Sequence, residues 1–175
     1  RKLEKMGWHA SDTAELAFAD VHVPDEHRLG DEDRGFQLIM ANFQWERLAM
    51  ALGAVGSMRA TLERVIAFAA ERKLGQATRH ALAEQATRAE AGTAMTYHAL
   101  RRFLDGGDAV REVAMAKLAT QRTSFELQDA CLQLVMGAGV RDADLERAAR
   151  DARLGPIGGG TDEVMKEILA KTLSL

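Results

Sequence analysis

The stretch of sequence that decides the fold is Asp33–Val65, which reads DRGFQLIMANFQWERLAMALGAVGSMRATLERV. Its apolar side chains recur at intervals of three and four residues, the spacing of one buried face of an α-helix. These positions are Phe36, Ile39, Met40, Phe43, Met50, Ala54, Met58, Leu62 and Val65. The pattern predicts a long helix from about residue 33 to 72.

The rest of the chain also favours helices. Its 175 residues are 47% hydrophobic, which is enough for one substantial core, and it contains only two prolines. Further helical patterns cover about 79–104, 108–136, 142–150 and 161–172, with Asp108 and Thr161 as N-caps. Breaks fall at Gly75, Gly106-Gly107, Gly137 and Gly155-Pro156. We therefore predict a mostly α fold.

The first 30 residues have a different pattern. Ala14–Phe18 and Val21–Val23 alternate like short strands, and Asp20 and Pro24 bound the second of them. We predict two units, residues 1–30 as the end of a β-domain with a linker and residues 31–175 as a helical bundle.

Composition excludes several classes of function. The formal net charge is −3 with acids and bases interspersed, so no basic surface indicates nucleic acid. The longest apolar stretch, Leu48–Met58, is too short to span a membrane. Cys131 is the only cysteine, which rules out an internal disulfide, favours a reducing compartment and is typical of a core position. The five histidines show no metal-ligand spacing, and we predict no metal.

Glu46 stands out within the first helix. It falls on the apolar stripe, and the positions three and four residues away are Asn42, Phe43, Ala49 and Met50, none of them basic. Two interpretations remain open from the residues alone. Glu46 is either a helix-edge residue paired across the bundle with an arginine, or a general base made more basic by desolvation.

A second candidate is the glycine turn Pro156–Gly160, which leads directly into the last helix. Backbone amides at such a junction form a cradle for an anion, and the helix dipole adds to the attraction. The alternative interpretation is an ordinary loop, in which the glycines allow the backbone geometry and Thr161 is the N-cap of the following helix. The turn on its own is a weak signal.

Several segments together resemble the flavin-dependent acyl-CoA dehydrogenases, over nearly the whole chain. They are Lys5–Leu16, Asp20–Pro24, Gly35-Phe36, Glu71–Lys73, Arg150–Arg153 and the glycine turn. The resemblance implies the last strands of the middle β-domain followed by the C-terminal four-helix bundle, as part of a longer protein.

The resemblance also implies a location for the catalytic base. Many family members carry a glutamate in the final turn at the position of Gly159, whereas the long-chain and isovaleryl enzymes carry it on the first bundle helix in a Glu-Arg-Leu context. Glu46-Arg47-Leu48 matches the second arrangement. Glu46 would then remove the α-proton of an acyl-CoA while a hydride passes from the β-carbon to FAD, giving a trans-2-enoyl-CoA.

The remaining site residues follow from the same resemblance. Arg47 matches an arginine near the substrate, although a salt bridge at the bundle edge is nearly as good an interpretation. Residues matched to FAD contacts are Gly160, Thr161 and Glu163 at the last helix, and Arg72, Gln133 and Gly137, which in the family reach the flavin of a neighbouring subunit.

The implied partners are an acyl-CoA, an electron-transferring flavoprotein or similar acceptor, and further copies of the chain in a dimer or tetramer. The implied location is the cytoplasm, or the mitochondrial matrix in a eukaryote.

The sequence departs from the family pattern at four places, which either weaken the contacts to the adenine end of the flavin or mark an incomplete sequence. After Lys73 the family's phenylalanine and part of a loop are absent, and Met136, Val140 and Ala149 replace a glycine, an aromatic residue and a tyrosine. One alternative function is a catalytically silent helical oligomerisation module of the same fold. Another is a flavin enzyme that acts as an oxidase or on a non-fatty acyl thioester.

Overall fold

Five α-helices account for most of the chain. The computed structural model describes all 175 residues. The helices are α1 (Gly35–Glu71), α2 (Gln76–Leu104), α3 (Val110–Gly137), α4 (Ala143–Ala152) and α5 (Asp162–Thr172), preceded by one 3-10 turn at Asp25–His27. The three long helices pack against one another, and α4 and α5 both pack against α3. The prediction of a mostly α, bundle-type fold is confirmed.

Helix ends follow local chemistry. The Thr161 hydroxyl accepts a hydrogen bond from Val164 N, so Thr161 caps α5 as predicted. The Asp108 carboxylate accepts from Val110 N, but the residue that precedes α3 is Ala109, so Asp108 acts one position earlier than expected. Helix α2 begins three residues before its predicted start, because extended Gly75 lets the helix form immediately after it.

The core consists of two apolar clusters along the bundle. The larger joins α1, α2, α3 and α4 through residues that include Met58, Val65, Leu127, Cys131 and Leu145. The smaller lies toward the start of α1 and α3 and contains Leu48, Ala51, Ala99, Ala109, Val113 and Ala116. Cys131 is buried, which confirms its predicted place in the core.

One part of the predicted apolar stripe is wrong. Ala54, Met58, Leu62 and Val65 are buried as expected, but Phe36 and Ile39 are 69% and 52% exposed. The other long helices cover α1 only from about Leu48 onward. The apolar residues before Leu48 continue the same helical spacing, but no other long helix buries them.

The two predicted strands are also wrong. Residues 14–23 contain only an isolated antiparallel bridge between Lys2 and Ala14. Leu16 and Phe18 are 75% and 80% exposed, because no neighbouring sheet pairs with this segment or covers its apolar side chains. The Trp8 indole donates to the Asp151 carbonyl at 2.9 Å, which ties this extended segment to α4.

No helix combines the length and apolar character needed to cross a lipid bilayer.

Candidate functional site

The glycine turn has a backbone conformation that favours glycine. Gly159 and Gly160 have φ angles of +64° and +101°, a region that side-chain-bearing residues rarely adopt. A Cβ at Gly159 would lie 2.7 Å from Met50 Sδ, so any larger residue there would also have to displace the Met50 side chain on α1. The backbone N–H groups of Gly159, Gly160 and Thr161 donate no hydrogen bond within the chain. They remain available to an acceptor at the N-terminus of α5.

Arg47 joins this turn to α1. Its Nε donates to the Gly159 carbonyl at 2.8 Å, and its guanidinium lies 5.3 Å from the centre of the Phe43 ring. Burial lowers the pKa of Arg47, and the neighbouring Glu46 carboxylate partly opposes that effect. The expected alternative, a salt bridge at the bundle edge, does not form. Two motifs far apart in the sequence therefore meet through one side chain.

Glu46 has neither of the two surroundings that the sequence predicted. Its side chain is exposed, so the expected desolvation is wrong for this chain, and it pairs with no arginine across the bundle. Instead Asn42 Nδ2 donates to Glu46 Oε1 at 2.6 Å, one helical turn away. Phe36 and Ile39 are also exposed on this part of α1, and Trp45 is covered on one side only, where its ring lies 5.9 Å from that of Phe103 on α2.

Lys117 and Asp162 form a buried charged layer beneath the turn. Lys117 is fully buried in the apolar part of α3, and its Nζ donates to the Gly160 carbonyl at 2.6 Å. Asp162 is 2% exposed and accepts from Arg122 Nη2 at 2.5 Å through Oδ2, while its Oδ1 has no hydrogen-bond partner. Burial lowers the pKa of Lys117, and the negative charge of Asp162 counteracts it.

Sequence reasoning missed this layer, although a signal was present. Lys117 is the single charge in the apolar run Val113–Ala119, and a buried lysine needs a specific partner.

Glu163 lies at the open side of the turn. It is exposed, and hydrogen bonds from its own backbone N–H and from Thr161 lower the pKa of its carboxyl group. The structure thus brings five predicted site residues to one end of the bundle: Glu46, Arg47, Gly160, Thr161 and Glu163.

The other predicted cofactor residues lie at the opposite end. Arg72 follows the last residue of α1, with its guanidinium 4.2 Å from the centre of the Phe68 ring, and Gln133 and Gly137 are in the final turns of α3. Arg47 and Arg72 are 25 residues apart on α1, a separation of about 37 Å at the α-helical rise. The structure therefore separates the predicted residues into two groups.

A groove lies beside the second group. Between the end of α1 and the start of α2 there is a cavity of about 520 Å³, lined mainly by apolar side chains with Lys73 and Arg79 among them. Lys73 has a φ of +50° in the tight connection between α1 and α2. The short connection thus leaves the ends of both helices accessible.

Comparison with known proteins gives a consistent result. The model of the acyl-CoA dehydrogenase C-terminal domain matches residues 33–174. Long-chain specific acyl-CoA dehydrogenase of Mus musculus is 36% identical over 99% of this chain and 42% of its own length. An acyl-CoA dehydrogenase of Bacillus subtilis is 33% identical over 99% of this chain and 48% of its own length.

Solved structures agree with the sequence relatives. The crystal structure of a probable acyl-CoA dehydrogenase from Mycobacterium abscessus is 39% identical, with a TM-score of 0.93 over 99% of this chain and 48% of that chain. The chain spans about half the length of the relatives it matches. By fold and by sequence, the chain belongs to the acyl-CoA dehydrogenase family and contains its C-terminal helical domain.

Proposed function

We propose that the protein containing this chain is an FAD-dependent acyl-CoA dehydrogenase in which Glu46 is the catalytic base. The reaction removes the α-proton and a β-hydride from an acyl-CoA thioester and yields a trans-2-enoyl-CoA. The observation that carries the proposal is the Arg47–Gly159 hydrogen bond at 2.8 Å, because it holds the helical turn bearing Glu46 against the glycine turn with the free amides.

The Glu46 carboxylate is placed where a bound substrate can reach it, as a catalytic base requires. Its carboxylate is exposed and is oriented by Asn42 Nδ2, which leaves Oε2 free to accept a proton from a bound substrate. The adjacent Arg47 keeps a positive charge next to the carboxylate, and its terminal nitrogens form no ion pair with an acid. Arg47 is therefore proposed to contact the substrate and to orient the base.

The glycine turn suits a flavin. The three free backbone N–H groups, those of Gly159, Gly160 and Thr161, lie at a helix N-terminus and can donate hydrogen bonds to carbonyl or anionic oxygens, and Glu163 lies in the first turn of that helix. FAD, when bound there, supplies the acceptor for the hydride that leaves the β-carbon. The residues present thus fit the group that the family uses.

Two copies of the chain would complete the cofactor site. By the α-helical rise, Arg72 lies about 37 Å along α1 from Arg47, and Gln133 and Gly137 lie about 24 Å and 30 Å along α3 from Lys117. Arg47 and Lys117 are bonded to the turn, so one copy of the chain holds the two groups of predicted cofactor residues far apart. A symmetric dimer or tetramer brings this end of one subunit to the turn of another. Electrons are then proposed to leave for an electron-transferring flavoprotein or a similar acceptor.

The test is an anaerobic titration of the complete, flavin-loaded protein with saturated acyl-CoAs of several chain lengths, followed by flavin absorbance. The wild type is expected to bleach, and Glu46→Gln to bind flavin yet lose bleaching by several orders of magnitude in rate. Glu63→Gln, an exposed glutamate on the same helix, is the matched control and should behave as the wild type.

Each failure has a separate meaning. A fully active Glu46→Gln variant would remove Glu46 from the mechanism. Absence of bound flavin, or of bleaching by any acyl-CoA, would favour the silent oligomerisation module.

A further inference from the structure

A partly buried arginine and a buried lysine hold consecutive peptide groups of the glycine turn. Arg47 Nε donates to the Gly159 carbonyl at 2.8 Å, and Lys117 Nζ donates to the Gly160 carbonyl at 2.6 Å. These carbonyls belong to the peptide units Gly159–Gly160 and Gly160–Thr161. The two cations come from different helices, α1 and α3.

The geometry of the peptide group determines which way the N–H groups of the turn point. The peptide bond is planar and trans, so its C=O and N–H groups point in opposite directions. Drawing the Gly159 and Gly160 carbonyls toward the bundle therefore turns the N–H groups of Gly160 and Thr161 away from it. These are two of the three amides that have no acceptor within the chain.

We propose that Lys117, together with Arg47, is a positioning residue that clamps the glycine turn so that its free amides face the flavin. The proposal rests on the proposed function for the identity of the ligand, and it assigns to Lys117 a role in flavin binding without direct contact. Glycine at positions 159 and 160 allows the turn, but it also allows many other backbone conformations. The hydrogen bonds from Lys117 and Arg47 stabilise the one conformation in which the free amides face outward.

The surrounding charges show why a lysine is retained in a buried position. Burying an ammonium group is unfavourable unless acceptors and opposite charges compensate for it. Lys117 has one carbonyl acceptor, and the negative charges of Asp162 and Glu163 favour it, whereas Arg47 repels it. Asp162 itself is fixed by Arg122 and by the bond from its N–H to the Pro156 carbonyl. The layer therefore links α3, the turn and the first residue of α5.

The test compares Lys117→Met with Gln128→Leu in the complete protein. Gln128 is also fully buried on α3 and donates to Ser57 on α1, but it lies eleven residues, about 16 Å, from Lys117 and does not touch the turn. Both variants lose a buried donor, and only one loses the clamp.

Two readouts are measured. The first is amide hydrogen exchange of the flavin-free protein at Asp162, whose N–H is bonded across the turn to the Pro156 carbonyl, and at Met165, whose N–H is bonded to the Thr161 carbonyl at the start of α5. The second is the dissociation constant for FAD. Loss of a hydrogen bond from a charged donor is expected to speed exchange and weaken FAD binding by about 10–100-fold in Lys117→Met. Gln128→Leu should stay within about threefold of the wild type in both readouts.

Unchanged exchange at the turn, or unchanged FAD affinity, in a folded Lys117→Met variant would overturn the clamp. If that variant does not fold, Lys117→Met combined with Asp162→Asn removes the opposing charge as well and is measured in the same way. A wild-type protein that takes up no FAD would refute the proposed function, while the exchange experiment would still decide whether Lys117 fixes the turn.

Discussion

Replacing glycine by alanine is expected to have opposite effects at two positions in this chain. Gly160 lies in the turn with a φ of +101°, and Gly56 lies in the middle of α1. The substitution adds the same methyl group in both cases. The surroundings decide the sign of the change in stability.

At Gly160 the methyl group is strained and crowded. A non-glycine residue at such a φ costs on the order of 1–3 kcal/mol. The added Cβ would also lie 2.9 Å from Met165 Cε, 3.4 Å from Val164 Cγ1 and 3.5 Å from Arg47 Nη2. The closest atom is the end of a flexible side chain, which can move aside, so backbone strain dominates. We expect Gly160→Ala to lower the free energy of unfolding by about 2 kcal/mol.

At Gly56 the methyl group meets no atom within 4 Å and the position is exposed. Alanine loses less backbone entropy than glycine in a helix interior. We expect Gly56→Ala to raise the free energy of unfolding by about 0.5–1 kcal/mol.

The assay is thermal unfolding of the flavin-free protein, followed by circular dichroism. For a domain of this size the expected shifts in Tm are a fall of about 4–8 °C for Gly160→Ala and a rise of about 1–4 °C for Gly56→Ala. Equal stabilities for Gly160→Ala and the wild type would refute the argument, because they would mean that the turn does not require the left-handed conformation.

Two further predictions concern titrating groups. Burial raises the pKa of Cys131 to about 11, so the native thiol should resist a disulfide reagent at pH 8 and react fully only after unfolding; rapid reaction of the native protein would contradict its core position. The pKa of Glu163 is lowered from 4.5 by its hydrogen bonds, so its contribution to stability is present above pH 4.5 and is lost as the pH falls through the lower folded-state value. Glu163→Gln should therefore flatten the loss of stability on acidification below pH 4.5, as measured by urea unfolding at a series of pH values, and an unchanged pH profile would count against this assignment.

Much of the helical layout was predictable, since the signals are local. The apolar periodicity of α1 and the glycine breaks give all five helices to within about three residues, and the Thr161 cap follows from side-chain chemistry at one position. The boundary between residues 30 and 31 stays a prediction.

The errors come from positions where the pattern depends on a neighbour. Phe36, Ile39 and Leu16 have the periodicity of buried residues, yet they are exposed in this chain, because burial depends on what lies opposite. Glu46 was expected to be desolvated for the same reason and is exposed. Periodicity reports which face of an element is apolar, and it does not report whether another element covers that face.

The sequence by itself determined the helices, the family and the residue types of the candidate site, because these depend on spacings of a few residues and on motifs read in order. Only the tertiary structure decided that Arg47 and Lys117 bond to adjacent carbonyls of the glycine turn, and that Arg72, Gln133 and Gly137 lie at the other end of the bundle. The physical reason is that such contacts join residues tens to more than a hundred positions apart, and the packing of whole helices fixes them.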